Sequence, residues 1–183
     1  NEMFFDNVRV PKDCLVGEKN GGLGLIITEL DIERASGLGL DTAARCRRML
    51  DELIDYAGRT KRNGRLLCED PVIRQALAER ATEIEVTRLL GYRVLWLLTK
   101  GIVAHTEASV SKVYGSEMLH RLANTGVQVL GLNSGLQSDP NWPPVSSRLW
   151  DCCLLSFTWL IAGGTNEIQK NIIASGGLGL PNA

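Results

Sequence analysis

No run of about 18 apolar residues occurs in this 183-residue sequence, and no basic, apolar leader opens it. Neither a membrane span nor a targeting segment is therefore expected. Charge of one sign is also missing: 20 Lys plus Arg stand against 21 Asp plus Glu, for a formal net charge of −1. No long-range field argues for nucleic acid or an acidic membrane as partner. Cysteine is sparse. Cys14, Cys46, Cys68, Cys152 and Cys153 are odd in number, scattered, and never spaced as C-x-x-C, which argues against a disulfide framework or a structural zinc site. A reducing, cytoplasmic setting fits that usage. The two histidines, His105 and His120, lie far apart, so no metal site is expected and each is read as a surface or helix-end residue. Repeats, low-complexity tracts and internal linkers are absent too.

What is present suits one domain with a sizeable core: 44% of the residues are hydrophobic and 22% charged. The segment from Met3 to Val10 reads as a strand of mixed periodicity that ends at Pro11. A strand cannot stand alone, so its sheet partners have been cut off, were not included, or belong to another chain. Beyond turns at Gly17 and at Gly21 and Gly22, apolar residues from Leu23 to Ile54 recur at helical spacing and predict one long helix, loosened at Gly37 and Gly39. Gly58 and the polar run Arg59 to Arg65 stop it.

Asp70 and Pro71 supply a cap and a first helical position for the next helix, whose stripe is Ile73, Leu77, Ala81, Ile84, Leu95 and Leu98, and which closes at Lys100-Gly101. A third helix is expected from a Thr106 cap through Val110, Val113, Met118, Leu122 and Val127 to Gly131. The Gly, Asn, Ser and Pro of residues 131–144 read as a long exposed loop. A mostly apolar stretch, Leu149 to Ile161, then leads through Gly163-Gly164 into a short last helix capped by Thr165 or Asn166, with Ile168, Ile172 and Ile173 as its apolar face. Three long helices and a shorter one predict an all-α, up-and-down helical bundle.

Three stretches, in order, resemble the acyl-CoA dehydrogenase family. They are Phe4-Phe5-Asp6-Asn7-Val8-Arg9-Val10-Pro11 with Leu15-Val16-Gly17-Glu18; Ala78-Glu79-Arg80-Ala81-Thr82-Glu83-Ile84-Glu85; and Gly163-Gly164-Thr165-Asn166-Glu167-Ile168-Gln169 with Asn171-Ile172-Ile173-Ala174. The third is the most specific. The resemblance implies that residues 1–20 are the end of a middle β domain and a linker, the short strand being left over from that missing domain. Residues 21–183 would be the C-terminal helical-bundle domain. It implies further an FAD cofactor, an acyl-CoA substrate losing its α proton and a β hydride, identical or homologous subunits in a tetramer, and an electron-transferring flavoprotein or similar acceptor. A fragment of this kind is expected to be inactive alone.

The reaction needs a carboxylate near the thioester's α carbon in a dry site. Many members resembling this chain carry it where Gly163 stands, and glycine has no base to offer. A branch similar to isovaleryl-CoA dehydrogenase carries it on the first bundle helix, within a sequence that Leu30-Asp31-Ile32-Glu33-Arg34 resembles. Glu33 is thus the candidate general base; the alternative is a solvated helix residue. By the same resemblance Gln128 and Gly131 contact the adenosine diphosphate part of FAD across a subunit boundary, and the Gly164-Thr165-Asn166-Glu167 turn, with Thr165 and Glu167, lies near the flavin. Thr165 is equally read as a plain cap. Thr60 stands where the family has a pyrophosphate-binding arginine, so Arg59 or, as the chosen candidate, Arg62 supplies that charge. Asp31 and Glu29 are expected to be structural, and Cys152 and Cys153 to pack as small hydrophobes. Trp142, Trp150 and Trp159 line an acyl pocket or pack in the core or at a subunit contact. The loop from Leu132 to Pro144, with its tryptophan, hints at a bulky, polycyclic acyl group. Two other functions stay open: a non-catalytic assembly subunit of a heteromeric enzyme, and a relative of the acyl-CoA oxidases.

Overall fold

The computed structural model describes residues 2–135 and 144–181. The long first helix is present in two α pieces joined by a loosened turn: α1 (Gly22–Ala35), a π-helical turn at Ser36–Asp41, and α2 (Thr42–Arg59). Close packing accompanies the loosening. A Cβ on Gly39 would lie 3.0 Å from Ser111 Oγ and 3.1 Å from Gly91 Cα, so the loosened turn packs closely on the helices that carry Gly91 and Ser111, where a side chain would be crowded. After Thr60 the polar run forms a hairpin, β1 (Lys61–Arg62) against β2 (Arg65–Leu66), and not merely a helix stop. Asn63 and Gly64, at φ 54° and 81°, make its two-residue turn.

Helix α3 (Pro71–Thr99) starts as expected, with the Asp70 carboxylate accepting from the Val72 amide at 2.9 Å. Its buried face follows Ile73, Leu77 and Ile84 but continues through Thr87, Gly91 and Val94, leaving Leu95 and Leu98 half-buried. Helix α4 (His105–Leu130) corrects the expected cap: Ala104 occupies that position and Thr106 lies inside the first turn, packed against Gly177. Residues 131–135 form a 3-10 turn. The rest of the expected loop up to residue 143, with Trp142, lies outside the described residues. The apolar stretch before Gly163 belongs to a fourth long helix, α5 (Pro144–Ile161), beyond the three that the sequence predicts. Val145, Leu149, Cys152 and Ser156 are buried while Leu154, Phe157 and Ile161 are exposed, so apolar residues on both faces obscure its period.

Cross-links between helices run antiparallel. Glu83 and Glu107 meet Arg121 and Arg93 between α3 and α4, and His120 and Lys112 meet Ser156 and Leu160 between α4 and α5. The up-and-down bundle is thus confirmed. Leu50, Leu53, Ile84, Met118, Leu122 and Leu149 fill the core they enclose. Residues 2–11, where the sequence predicts a strand, form none with any described residue; Met3, Phe4, Phe5, Val8 and Val10 are exposed, and a strand is held only by pairing with a neighbour. Leu23, Ile26 and Ile27 of α1 are exposed as well. Among the described residues no helix is long and apolar enough to cross a membrane.

Candidate functional site

The short last helix, α6 (Asn166–Ile172), buries polar groups most deeply, while of the isoleucine face expected of it Ile172 and Ile173 are half-buried. Thr165 caps it, its hydroxyl accepting from the Ile168 amide at 3.3 Å. Asn166 and Gln169 are its buried residues, whereas Ile168 is exposed. Upstream, Gly163 and Gly164 take successive left-handed conformations, φ 68° and 90°. A Cβ on Gly164 would lie 2.6 Å from Gln169 Nε2, so glycine lets that amide reach the turn.

Three donors converge on one carbonyl there. Arg34 Nε and Nη2 reach the Gly163 oxygen at 3.1 and 3.0 Å, and Gln169 Nε2 reaches it at 3.1 Å. Arg34 is buried and also pairs with buried Asp31 at 3.2 Å. Asp31 in turn meets His105 at the start of α4. Asp31 is thus buried between the side chains of Arg34 and His105, and His105 sits at a helix end. From α4, the fully buried Lys112 donates to Asn166 Oδ1 at 2.7 Å and to the Leu160 carbonyl at 3.1 Å, and the Ser116 hydroxyl reaches the same Asn166 oxygen at 3.1 Å. Burial pulls the Lys112 ammonium down to about 8, and nearby Arg34 adds to the fall. Its own backbone N–H and the Thr165 hydroxyl hold the exposed Glu167 carboxyl below its ordinary value.

Glu33 precedes Arg34 on α1 and is exposed, with no hydrogen-bond or ion-pair partner among the described residues. The Gly163 position and the Glu33–Arg34 dipeptide, 129 residues apart in sequence, are therefore neighbours through Arg34. Thr165 and Glu167 lie on the same turn. Arg62, Gln128 and Gly131 meet elsewhere: Arg62 Nη2 donates to the carbonyls of Val129 at 2.9 Å and Gln128 at 3.4 Å, and lies 3.6 Å from where a Gly131 Cβ would be. From Lys112 to Gln128 is roughly 24 Å along α4 at the usual helical rise. The two groups of candidate residues are thus well separated along α4.

Sequence reasoning missed Lys112, Asn166 and Gln169. A signal was available, because Ser109, Lys112 and Ser116 recur at helical spacing, and a polar stripe on a helix that is otherwise core marks a buried polar partner. His120 is not a surface residue but a half-buried one in mid-helix, bonded to Ser156 at 3.1 Å and edge-on to Phe157. Cys152 packs in the core as expected, and burial pushes its thiol up to about 12. Trp159 packs against the core and helps line a pocket of about 410 Å³ between α2, α4 and α5.

The family model described as "Acyl-CoA dehydrogenase, C-terminal domain" matches residues 20–178. Cyclohexane-1-carbonyl-CoA dehydrogenase of Geobacter metallireducens is 32% identical over 95% of this chain and 43% of its own length. The caffeyl-CoA reductase-Etf complex subunit CarC of Acetobacterium woodii is 28% identical over 95% of this chain and 44% of its own. Among solved structures, the Tcur3481-Tcur3483 steroid ACAD superposes with a TM-score of 0.84 at 28% identity, covering 98% of this chain and 45% of that one. The chain thus spans under half the length of these relatives. Matching model, sequence relatives and superposed fold agree: this chain belongs to the acyl-CoA dehydrogenase family, as its C-terminal domain.

Proposed function

We propose that the chain is the C-terminal portion of an FAD-dependent acyl-CoA dehydrogenase in which Glu33 removes the α proton of an acyl-CoA thioester. The observation that carries this reading is the double hydrogen bond from Arg34 to the Gly163 carbonyl. It brings the two backbone positions from which the family resemblance supplies a base to one place. Gly163 carries no side chain there, and Glu33 is a carboxylate without a partner among the described residues. In the whole protein, covering this face would exclude water and raise the carboxylate's basicity.

The residues present fit the cofactor's phosphates. Arg62 and Arg65 line a groove of about 580 Å³ beside the hairpin, and Gln128 is exposed next to it. Arg62 also neutralises the negative end of α4, which would otherwise repel an anion. Glu69 and Asp70 share the groove, but Asp70 is engaged as a helix cap. Arg62 and Gln128, with the close backbone approach at Gly131, would hold the adenosine diphosphate part, and Thr165 and Glu167 would face the flavin end. FAD, when bound, supplies the acceptor for the β hydride. The separation of the two half-sites along α4 supports a cofactor shared between subunits, identical or homologous, in a tetramer. Leu89, Tyr92 and Trp96, an exposed stripe on α3, suit such a contact. Residues 1–20 are read as the end of a middle β domain and linker, their exposed apolar side chains awaiting that partner. An electron-transferring flavoprotein, or an acceptor like it, would take the electrons, as the Etf complex of the Acetobacterium relative supports. The five free cysteines fit a cytoplasmic location.

A bulky ring-bearing acyl group is the proposed substrate class. Two relatives are named for a cyclohexane carbonyl thioester and a steroid. The test compares the whole protein with its Glu33→Gln variant, both loaded with FAD. Acyl-CoA-dependent bleaching of the flavin should fall by about 10² or more in the variant, the range for loss of a general base. Equal bleaching places the base elsewhere. FAD uptake or bleaching by neither protein supports the assembly-subunit reading.

A further inference from the structure

Lys112 is a buried charge that the proposed proton removal does not use, and it lies at the junction of four elements. It projects from α4, holds the Leu160 carbonyl at the end of α5, and holds Asn166 at the start of α6. Between those two anchors runs the Gly163–Gly164 turn, whose carbonyl Arg34 of α1 grips. The glycines leave that turn free to swing, since left-handed and extended conformations cost glycine alike. Fixing both its ends fixes the place where Arg34 docks, and with it the neighbouring Glu33. Proximity catalysis is sensitive to displacements of about 1 Å.

We propose that Lys112 is a positioning residue for Glu33, acting through Asn166 and the Leu160 carbonyl to hold the Gly163–Gly164 turn against Arg34. This rests on Glu33 being the base. The ammonium faces Arg34 from α1, Glu117 on its own helix, and Glu167 from α6, while α5 presents the Leu160 carbonyl. Among these, burial and Arg34 favour loss of its proton. Deprotonation near pH 8 removes one donor and the charge that strengthens both bonds, loosening the turn.

The test uses the intact holoprotein and three variants: Lys112→Met, Asn166→Asp and Glu33→Gln. Flavin bleaching by an acyl-CoA should lose rate above about pH 8 in the native protein. Lys112→Met should lower kcat about tenfold with KM little changed, and abolish that alkaline limb. Asn166→Asp, which adds an anion beside the ammonium, should move the limb upward. Hydrogen–deuterium exchange of residues 163–169 and 30–35 should rise together in Lys112→Met and stay native in Glu33→Gln. A folded, FAD-loaded Lys112→Met protein with native kcat and an unchanged alkaline limb overturns the proposal. If Lys112→Met does not fold, an Asn166→Asp limb at the native pH overturns it instead. Bleaching by Glu33→Gln at the native rate sinks the base reading itself, and coupled exchange at the two segments would still separate that failure from failure of the clamp.

Discussion

Both halves of α4 contribute buried residues, for opposite reasons. From Met118 onward the buried residues are mostly apolar: Leu119, Leu122, Ala123, Val129 and Leu130 pack in the main core, and Thr125, the one buried hydroxyl there, bonds back to the Arg121 carbonyl. Before Met118 the buried residues include Ser109, Ser111, Lys112 and Ser116, in a cluster of charges and amides. The apolar half gains from area removed from water, without directional demands. The polar half must satisfy each group or lose free energy, and Ser109 and Ser111 hydroxyls there have no partner among the described residues. The apolar half stabilises by burial alone, whereas the polar half stabilises only while its groups stay paired at fixed geometry. Function is expected where the costly arrangement is kept.

The comparison is broken most severely at Arg34. Arg34→Met leaves Asp31 buried beside His105 alone and strips two of the three donors from the Gly163 carbonyl. Breaking a buried ion pair costs about 3–5 kcal/mol, so chemical denaturation of the whole protein should show a loss of that order. Leu122→Ala attacks the other half. Its side chain is fully buried, and truncation should cost about 2–5 kcal/mol by the same measurement, with little effect on the pH profile of any activity. Ser109→Ala sharpens the contrast with the smallest effect. Removing an unpartnered buried hydroxyl should leave stability within about 1 kcal/mol of native, on the stabilising side. A loss well beyond that would reveal a partner for Ser109 and weaken the contrast.

The same contrast governs what the sequence disclosed. Apolar periodicity located α2, the start of α3 and the body of α4, because those helices bury Leu50, Leu53, Ile73, Leu77 and Leu122 at regular spacing. Asp70-Pro71 and Thr165 revealed caps, since each side chain bonds within its own helix turn. Periodicity failed on α5, where exposed Leu154, Phe157 and Ile161 hide the buried face, and on α3 beyond Ile84, where Thr87 and Gly91 face inward. The Asn63-Gly64 hairpin lay inside a run of cations with no alternating apolar residues to mark strands. Of the candidate site, Glu33 and Gly163 are marked by resemblance alone, and the fold joins Gly163 to Arg34, the residue after Glu33. The roles of Lys112, Asn166 and Gln169 are not legible in the sequence, because their bonds span 48 and 54 residues or reach a glycine carbonyl that no pattern announces.

The most direct test of the central claim reads the proton and not the electrons. The whole FAD-loaded protein is incubated in deuterium oxide, without an electron acceptor, with an acyl-CoA analogue that cannot lose its β hydride. Uptake of deuterium at the α carbon is then followed by NMR. The account predicts uptake by the native protein and at least about a hundredfold slower uptake by Glu33→Gln at the same FAD occupancy. Equal uptake by both proteins would contradict it, assigning the proton to another group and leaving Glu33 a solvated residue of α1.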